Sequence, residues 1–291
     1  MIVEEGVPLA RFTTLGTGGP ARAFARPESE SELQQALRWA AERGLPVAVV
    51  GLGSNLLVAD EGVEGLVVKL SGELAAVEVD GTVVRAGGGA PNAVCLHRAR
   101  AAELGGFEFA CAIPGTTGGG VWMNAGAYGG DFSQVLERAL VVTAEASGWL
   151  TPAELGLSYR HSGLRHGRVV ARVELRLQAR AREEIRATVA ELQARRKATQ
   201  PTNKRTFGSV FKNPAHELSA GRMLDACGLK GHRIGGAQIS PRHANFIENA
   251  GEARSADATA LMVEARRRAR EQFGTELVHE VEFLGPLALP E

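Results

Sequence analysis

The chain has 291 residues, of which 44% are hydrophobic and 23% charged, the composition of an ordinary globular protein with a sizeable core. Its 33 basic residues balance 33 acidic ones, so no net charge favours nucleic acid or a membrane surface. The first residues, "MIVEEGVPLA", lack a basic segment followed by an apolar core, and no apolar run could span a bilayer. These features exclude nucleic acid and membrane partners from our expectations.

The first half of the chain contains helix and strand signals in mixed order. Ser29, with Glu32 three residues later, predicts a capped helix that Gly44 ends. "PVAVVG" (46–51) predicts a buried strand, and "GLVVKL" and "GTVVRAGG" predict two more. "APNAVCLHRARAAELGG" predicts a helix that ends at Gly105, and "LERALVVTA" predicts a strand. "VVARVELRLQA" (169–179) alternates apolar and polar residues, which predicts a strand buried on one face only.

The pattern of the sequence changes near residue 181, where a charged amphipathic helix is predicted to begin. This helix ends before Pro201. We place the domain boundary there, with domains at 1–190 and 191–291. The second domain is predicted to contain a short helix in "LSAGRMLDACG", strands in "RIGGAQIS" and "ANFIEN", and a helix over 255–273 closed by Gly274. A strand in "ELVHEVEFLG" follows. Strands and helices in mixed order indicate an α+β fold rather than a doubly wound sheet.

Many of the 36 glycines fall in four clusters, at 16–21, 51–55, 87–89 and 113–130. Backbone amides in such loops can approach a diphosphate closely. A dinucleotide fingerprint of the Rossmann type fits poorly, because strand-like residues rather than a helix follow "GTGGPA". We therefore expect phosphate-binding loops on β-structure with no helix dipole, while simple turns remain an alternative for 16–21 and 87–89. In 113–130, Trp122, Met123, Asn124 and Tyr128 could line a flat aromatic ligand.

The cysteines and histidines predict no metal site, and the lysines form one cluster. Three cysteines, Cys95, Cys111 and Cys227, form no Cys-x-x-Cys pair, which indicates reduced thiols in a cytoplasmic protein. The seven histidines show no metal-ligand spacing. The chain has 28 arginines and five lysines, and three of the lysines lie in 197–212, around "TFGSVFKNP". They indicate compact cations at a binding site, with chance clustering as the alternative.

Several motifs taken together resemble a known family. They are "TTLGTGGPA", "VVGLGSNLLV", "IPGTTGGGVWMNAGAYGG", "LSYRHS", "GSVFKNP", "LKGHRIGGAQISPRHANFIEN" and "ELVHEVEFLG". In this order they resemble the UDP-N-acetylenolpyruvoylglucosamine reductases, flavoenzymes of bacterial cell-wall precursor synthesis, over nearly the whole chain. The 113–130 block and "GSVFKNP" are the most specific of the motifs.

The resemblance implies a fold and cofactors. It implies a p-cresol methylhydroxylase-type FAD domain of two subdomains, divided near residue 70, and a substrate domain in which 275–291 returns to the active site. FAD is expected to be non-covalent, with NADPH as co-substrate, and loops 51–55 and 113–119 wrap its diphosphate. The expected cofactor contacts are Gly51, Gly53, Ser54, Asn55, Pro114, Gly115, Thr116, Gly118, Gly119, Asn124, Ala125 and Gly126.

The implied reaction reduces an enolpyruvyl ether to a lactyl ether. Hydride goes from the flavin to C3 of the enolpyruvyl group, and an acid must then protonate C2. By the resemblance Ser209 is the proton donor, Arg160 binds the substrate carboxylate, and Glu280 is its partner at the enolate. Glu282, which lies on the same strand, is interpreted as a solvated carboxylate with no role in the reaction.

Lys197, Asn213 and His243 match or lie at substrate-contacting positions of the family, His243 where some members carry glutamine. The role of Lys212 stays open. The chain departs from the family's pattern at Gly16, where an arginine is usual. It also lacks an insertion that carries a tyrosine lid, which places it in the shorter subclass. A monomer that binds a UDP-sugar and NADPH in the cytoplasm is expected.

Three other functions compete with this interpretation. Another oxidase or dehydrogenase on the same FAD fold would keep the glycine-rich loops but would not need "GSVFKNP" together with "VHEV". A serine hydrolase would be colourless, and Ser209 lacks the Gly-x-Ser-x-Gly turn of that class. A flavin or nucleotide-sugar binding module would bind without turnover.

Overall fold

The computed structural model describes residues 2–290. Within them the α-helices are α1 Glu30–Ala41, α2 Asn92–Ala101, α3 Thr117–Trp122, α4 Arg182–Thr199, α5 Ala220–Ala226 and α6 Ser255–Phe273. Short 3-10 turns lie at Leu9–Phe12, Gly72–Ala75, Glu108–Ala112 and Phe132–Gln134. None of the helices in this range is both long enough and apolar enough to cross a bilayer.

The strands are short and numerous. They are β1 Val3–Pro8, β2 Pro20–Ala25, β3 Val47–Val49, β4 Leu56–Val58, β5 Val63–Val68, β6 Val77–Asp80, β7 Val83–Gly87, β8 Leu104–Gly105, β9 Gly126–Ala127, β10 Gly130–Asp131, β11 Leu136–Val142, β12 Ser147–Leu150, β13 Val169–Arg176, β14 Gln178–Ala179, β15 Thr206–Ser209, β16 Arg233–Ile234, β17 Ala237–Ile239, β18 Phe246–Asn249 and β19 Glu282–Leu284. Helices and antiparallel sheets in this mixed order confirm the α+β class.

The chain divides into two compact units. Unit 1 contains residues 1–5, 23–52 and 65–196, and unit 2 contains 6–22, 53–64 and 197–291. This division differs from the predicted boundary at 190/191. Helix α4 stays with unit 1 almost to its end because Ile185 and Val189 are buried in the core of that unit. Segment 53–64 joins unit 2 because β4 pairs with β19. The predicted split near residue 70 stays a prediction.

Unit 1 is built around a five-stranded antiparallel sheet of order β12-β11-β13-β7-β6. Three phenylalanine rings, those of Phe107, Phe109 and Phe132, meet edge to face in its core, at centroid distances of 5.3–6.2 Å. In the same unit β3 pairs in parallel with β5, and Leu33 and Leu37 of α1 are buried in one hydrophobic cluster with residues of β5 and β11. The carboxyl end of β3 leads into loop 51–55, and Lys69 follows the carboxyl end of β5.

Strand β13 shows why its pattern was only partly informative. Ala171, Val173 and Leu175 are buried as predicted, but Glu174 on the other face is buried too, with 7% of its surface exposed. Its carboxylate accepts hydrogen bonds from Arg138 (2.7 Å) and Arg85 (3.3 Å) on the neighbouring strands. The bond from Arg138 lowers the pKa of Glu174 despite burial. Cross-strand pairing, which a single strand cannot reveal, makes the buried charge tolerable.

Other predicted elements need correction. Strand β3 is partly exposed, with Val49 38% exposed, because it lies at the edge of its sheet. The segment "RIGGAQIS" forms two short strands, β16 and β17, with Gly235 at a φ of 53° between them. Helix α2 ends at Ala101 rather than Gly105, since Glu103 takes the left-handed conformation first.

The cap of α1 is confirmed in part. The Ser29 hydroxyl accepts a hydrogen bond from the amide of Glu32, as a capping residue should. The Glu32 carboxylate, however, accepts from the amide of Glu28 rather than from that of Ser29. The signal therefore predicted where the helix begins, while the reciprocal bond falls one residue earlier.

Unit 2 has an antiparallel sheet of order β15-β18-β17-β16 that packs against α5 and α6. The first turn of α6 is held by a residue from another part of the chain. Asp60 accepts hydrogen bonds from the amides of Ser255 (2.9 Å) and Ala256 (3.1 Å). The Ser255 hydroxyl donates to the carbonyl of Val58 at the end of β4. Segment 53–64 is thus fastened to the start of α6.

We expect Asp60→Ala to destabilise the protein by about 1–2 kcal/mol, because two amides at a helix start lose their acceptor and a favourable charge. Urea unfolding of the FAD-free protein measures this. The exposed neighbour Glu61, changed to alanine, is the matched control and should alter the free energy of unfolding by less than about 0.5 kcal/mol. Equal effects of the two substitutions would show that Asp60 does not cap α6.

Candidate active site

The glycine-rich block 113–130 contains a helix that the sequence did not predict. Helix α3 begins at Thr117, and the Thr116 hydroxyl accepts from the amide of Gly119. The glycines hide it because glycine is a poor helix former. They are needed for packing: a Cβ on Gly120 would lie 2.2 Å from the Phe132 ring, and one on Gly118 would lie 2.8 Å from the Gly88 carbonyl. The expectation of loops on β-structure alone is therefore wrong here.

The amides at the start of this helix divide into two groups. Those of Thr117 and Gly118 donate to the carbonyls of Ala90 and Gly88 and are used within the protein. Those of Gly115 and Thr116, just before the helix, have no protein acceptor among residues 2–290. Asn92 fixes this loop, because its amide donates to the Gly115 carbonyl and its side chain to the Ile113 carbonyl. Two open amides on a braced loop are suited to an anion.

The loop 51–55 has the same arrangement of backbone groups. Its carbonyls are held, that of Gly51 by the Lys69 ammonium (2.6 Å) and that of Gly53 by the amide and hydroxyl of Thr14 (both 3.1 Å). No protein acceptor within residues 2–290 takes the amides of Gly51, Leu52, Gly53 or Asn55. Gly53 is buried and Gly51 and Asn55 are half-buried, so their amides require a partner and are open to a ligand, as is the amide of the exposed Leu52.

Two positions in this loop admit only glycine. A Cβ on Gly51 would lie 2.7 Å from the Thr116 hydroxyl, so within unit 1 this residue lies directly against the 113–119 loop. Gly53 has a φ of 66°, and a Cβ there would lie 1.9 Å from the Phe12 carbonyl oxygen. These two positions therefore carry no side chain, which would allow a diphosphate to approach the backbone closely.

Asn124 is nearly fully buried, with 2% of its surface exposed, and it has a positive φ of 41°. Its side-chain carbonyl accepts from the amide of Ser133 (2.9 Å), and its side-chain amide donates to the carbonyl of Ser158 (3.0 Å). The side chain therefore joins the glycine-rich block to the turn that carries Arg160. Ala125 and Gly126 follow it on the same segment, partly exposed.

Arg160 lies at the corner of a tight turn. The amide and carbonyl of Ser158 exchange hydrogen bonds with those of His161 at 3.0 and 3.1 Å, and Arg160 has a φ of 52°. The turn is tied to segment 122–126 at three points. Asn124 holds Ser158 as described, the Ser162 hydroxyl donates to the Trp122 carbonyl (2.6 Å), and the Arg160 guanidinium donates to the Gly126 carbonyl (2.5 Å).

In unit 2, Ser209 ends strand β15 next to an irregularity in the ladder. It pairs with Phe246, and the register shifts between Thr206 and Ser209, where Gly208 has a φ of 85°. Ser209 is partly exposed, and its hydroxyl has no protein partner among residues 2–290. The chain just beyond it is rigid, because the buried Asn245 side chain bonds both the amide (2.9 Å) and the carbonyl (2.8 Å) of Phe211.

Glu280 lies on a segment that pairs with residues 210–212, which directly follow β15. Its amide donates to the carbonyl of Val210, the residue after Ser209, at 2.8 Å, and Phe211 bridges His279. The Asn55 side chain donates to the carbonyl of Glu280 (3.2 Å). The fold of unit 2 thus places Ser209 and Glu280 on adjacent backbone segments, with the 53–55 loop beside Glu280.

The three predicted substrate residues are in different settings. Lys197 is exposed near the end of α4. The Asn213 side chain accepts from the amide of Ala220 at the start of α5 (3.2 Å). His243 accepts at Nδ1 from the amide of Asn245 (3.2 Å). Burial, aided by the charge of Lys230, lowers the pKa of His243 below its usual 6.5, so the imidazole is neutral at pH 7. It can donate a hydrogen bond from Nε2 but carries no charge.

Sequence reasoning missed the residues that hold these groups in place. Asn92, Ser162 and Asn245 are buried polar side chains that bond loop backbone. Ser162 and Asn245 stand inside motifs that were recognised, "YRHS" and "HANFIEN", so a polar residue in a specific motif was the available signal. Within residues 2–290 no three His, Cys, Asp or Glu side chains come together as metal ligands do.

Two family models match two different segments of the chain. Residues 200–284 match the model of the C-terminal domain of UDP-N-acetylenolpyruvoylglucosamine reductase, and residues 21–148 match an FAD binding domain. The chain is 44% identical to UDP-N-acetylenolpyruvoylglucosamine reductase 2 of Symbiobacterium thermophilum over 97% of this chain and 92% of that protein. It is 39% identical to the reductase of Bacillus licheniformis, over 97% and 94% of the two chains.

A solved structure is similar over the same extent. The crystal structure of UDP-N-acetylenolpyruvylglucosamine reductase from Thermus caldophilus superposes with a TM-score of 0.86 at 40% identity. The match covers 98% of this chain and 100% of that one.

Proposed function

Because the chain belongs to the UDP-N-acetylenolpyruvoylglucosamine reductase family, we propose that Ser209, Arg160 and Glu280 carry out the chemistry of that reaction in this chain. The enzyme is an FAD-dependent oxidoreductase. With NADPH it reduces the enolpyruvyl ether of UDP-N-acetylglucosamine enolpyruvate to UDP-N-acetylmuramate, a step of peptidoglycan precursor synthesis. Its FAD domain is of the p-cresol methylhydroxylase type expected from the sequence. Family membership sets aside the hydrolase and the binding module.

The cofactor loops fit FAD by the chemistry of their donors. We place its diphosphate at 51–55 and 113–119, where open amides supply partial positive charge without a side chain in the way. The twelve predicted contacts stay a proposal, and Asn124 acts in it chiefly by holding the loop, since both ends of its amide bond backbone. FAD held by these loops would supply the hydride transfer between NADPH and the enolpyruvyl group.

Ser209 is proposed to donate the proton that C2 needs. The observation that carries this role is its hydroxyl, partly exposed, without a protein partner among residues 2–290, on a rigid strand beside Glu280. A serine hydroxyl is a weak acid, but the charge that forms at C2 is a far stronger base. A small neutral donor also avoids placing an extra ion against the substrate.

Arg160 and Glu280 are proposed to manage the charge that the hydride leaves behind. The guanidinium of Arg160 would bond the substrate carboxylate and favour its enolic form. Its turn is tied to the glycine-rich block at three points, which holds the group where it is needed. Glu280 would act as its partner at the enolate, and Glu282, which begins β19, is left outside this role.

Lys197, Asn213 and His243 are proposed to bind the UDP-sugar. The exposed ammonium of Lys197 suits a phosphate, while the neutral His243 suits a hydrogen bond to a polar but uncharged group. We also propose a cytoplasmic monomer. The free thiols Cys95, Cys111 and Cys227 support a reducing compartment, and NADPH and UDP-sugars are found there.

The first test concerns Ser209. We expect Ser209→Ala to bind FAD and to be reduced by NADPH at the wild-type rate, while reoxidation by the enolpyruvyl substrate slows by about 10²–10⁴-fold. Stopped-flow absorbance of the flavin measures the two half-reactions separately. Ser209→Cys, which keeps an acidic hydrogen, should recover part of the rate. Reoxidation within about threefold of wild type, a barrier change under roughly 1 kcal/mol, would disprove the proton-donor role.

Glu280 is tested by the isosteric change to glutamine. Charge at C2 develops only as hydride reaches the substrate, so a group that acts on it affects the oxidative half-reaction alone. We expect Glu280→Gln to slow reoxidation by at least about tenfold and to leave reduction by NADPH unchanged. Glu282→Gln is the matched control on the same segment. Equal slowing of both half-reactions would indicate that Glu280 only supports the fold.

A substitution at Ser162 tests whether the hydrogen bonds that hold the Arg160 turn contribute to substrate binding. Ser162→Ala removes one hydrogen bond, of about 1 kcal/mol, so we expect the KM for the enolpyruvyl substrate to rise about 3- to 10-fold, with flavin reduction by NADPH unaltered. Ser162→Thr keeps the hydroxyl and should restore the KM. Ser147→Ala, at an exposed strand position, is the control. An unchanged KM would mean that the turn keeps Arg160 in place without this bond.

A further inference from the structure

Lys69 stands at the edge of unit 1 where two parallel strands end. Val49 pairs with Val68, and the amide of Val50 donates to the Val68 carbonyl, so Gly51 and Lys69 follow neighbouring strand ends. The half-buried Lys69 ammonium donates to the Gly51 carbonyl at 2.6 Å. Lys69 therefore lies next to a predicted cofactor loop, although no motif in the sequence assigned it a role.

The bond to Gly51 fixes a whole peptide plane. A trans peptide is planar, so its carbonyl and the next amide point in opposite directions. When Lys69 holds the Gly51 carbonyl, the Leu52 amide must face away from Lys69. That amide has no protein acceptor within residues 2–290. Lys69 thus determines the direction in which the open amide points.

The position also suits a cation. Gly51 lies against Thr116, so two loops with open amides meet here within unit 1. Burial, together with the charge of Arg26, lowers the pKa of Lys69. Two positive charges near a dehydrated site repel each other, and an anion bound there would offset that cost. A diphosphate is such an anion.

We propose that Lys69 is a positioning residue for the FAD diphosphate: it turns the Leu52 amide toward the phosphate oxygens and places a positive charge beside them. The inference rests on the diphosphate location proposed above. The choice of residue supports it, because the chain has only five lysines against 28 arginines. The ammonium of lysine is a compact point charge that suits one carbonyl, whereas the larger planar guanidinium of arginine is best matched to bidentate partners.

The experiment measures FAD affinity of the apoprotein by quenching of flavin fluorescence. We expect Lys69→Met to weaken binding about 10- to 100-fold, the loss of one charge-assisted hydrogen bond. Lys69→Arg, which keeps the charge but not the geometry, should fall between. Arg186→Met removes one positive charge at an exposed position of α4 in the same unit; it is the control and should bind FAD as wild type does. Circular dichroism establishes that each apoprotein is folded.

Salt separates this role from a purely structural one. If the charge of Lys69 attracts the diphosphate, the ratio of the Lys69→Met and wild-type dissociation constants shrinks as ionic strength rises from about 0.05 to 0.5 M. If Lys69 only ties β5 to the loop, the ratio stays constant, which overturns the inference. A Lys69→Met affinity within about twofold of wild type also overturns it.

Gly51→Ala separates failure of this inference from failure of the diphosphate location. Its Cβ would clash with Thr116, so it should weaken FAD binding if the diphosphate lies at this loop. Weakening by Gly51→Ala without weakening by Lys69→Met would refute the role of Lys69 and leave the location standing. If neither change alters the affinity, the location itself is wrong.

Discussion

A bare backbone amide must find an acceptor, and this requirement organises the cofactor loops of the protein. In loop 51–55 the carbonyls are taken by Lys69 and Thr14, and in loop 113–119 the helix start is taken by residues 88–90, which leaves other amides open. Glycine is kept where any Cβ would meet neighbouring atoms. In our proposal a cofactor diphosphate completes the set of hydrogen bonds, so the groups that would bind it are those that the fold leaves unsatisfied.

The candidate catalytic side chains depend on the same kind of backbone bracing. Arg160 is presented by a turn that Asn124 and Ser162 tie to the glycine-rich block. Ser209 is presented by a strand whose next residues are held by Asn245 on one side and by the Glu280 segment on the other. Buried amides and hydroxyls are well suited to this work, because they satisfy backbone groups without introducing charge. The reactive groups can then stay partly exposed and still be fixed in position.

The sequence predicted most helices and the α+β class because hydrophobic periodicity and caps are local signals, as at Ser29 and Gly274. The prediction failed where contacts with residues distant in the sequence determine the local structure. Glu174 is buried only because Arg85 and Arg138 flank it, and α3 forms in a glycine run only because Phe132 and Gly88 leave no room for side chains. For the site, motifs indicated Ser209, Arg160 and Glu280, but Lys69, Asn92 and Asn245 act through backbone contacts that spacing along the chain does not encode.

Two kinds of charge require two kinds of partner, and our proposal assigns them to different groups. The diphosphate of a resident cofactor is permanent, so fixed amide dipoles can stabilise it without the repulsion that a cluster of cations would cause in the free protein. The enolate of the reaction exists only briefly. A group that stabilises it must gain interaction as the charge appears, which an arginine at the carboxylate and a proton donor at C2 both do. In our inference Lys69 combines two roles at this loop, since its ammonium orients one peptide through the Gly51 carbonyl and also places a positive charge beside the phosphate.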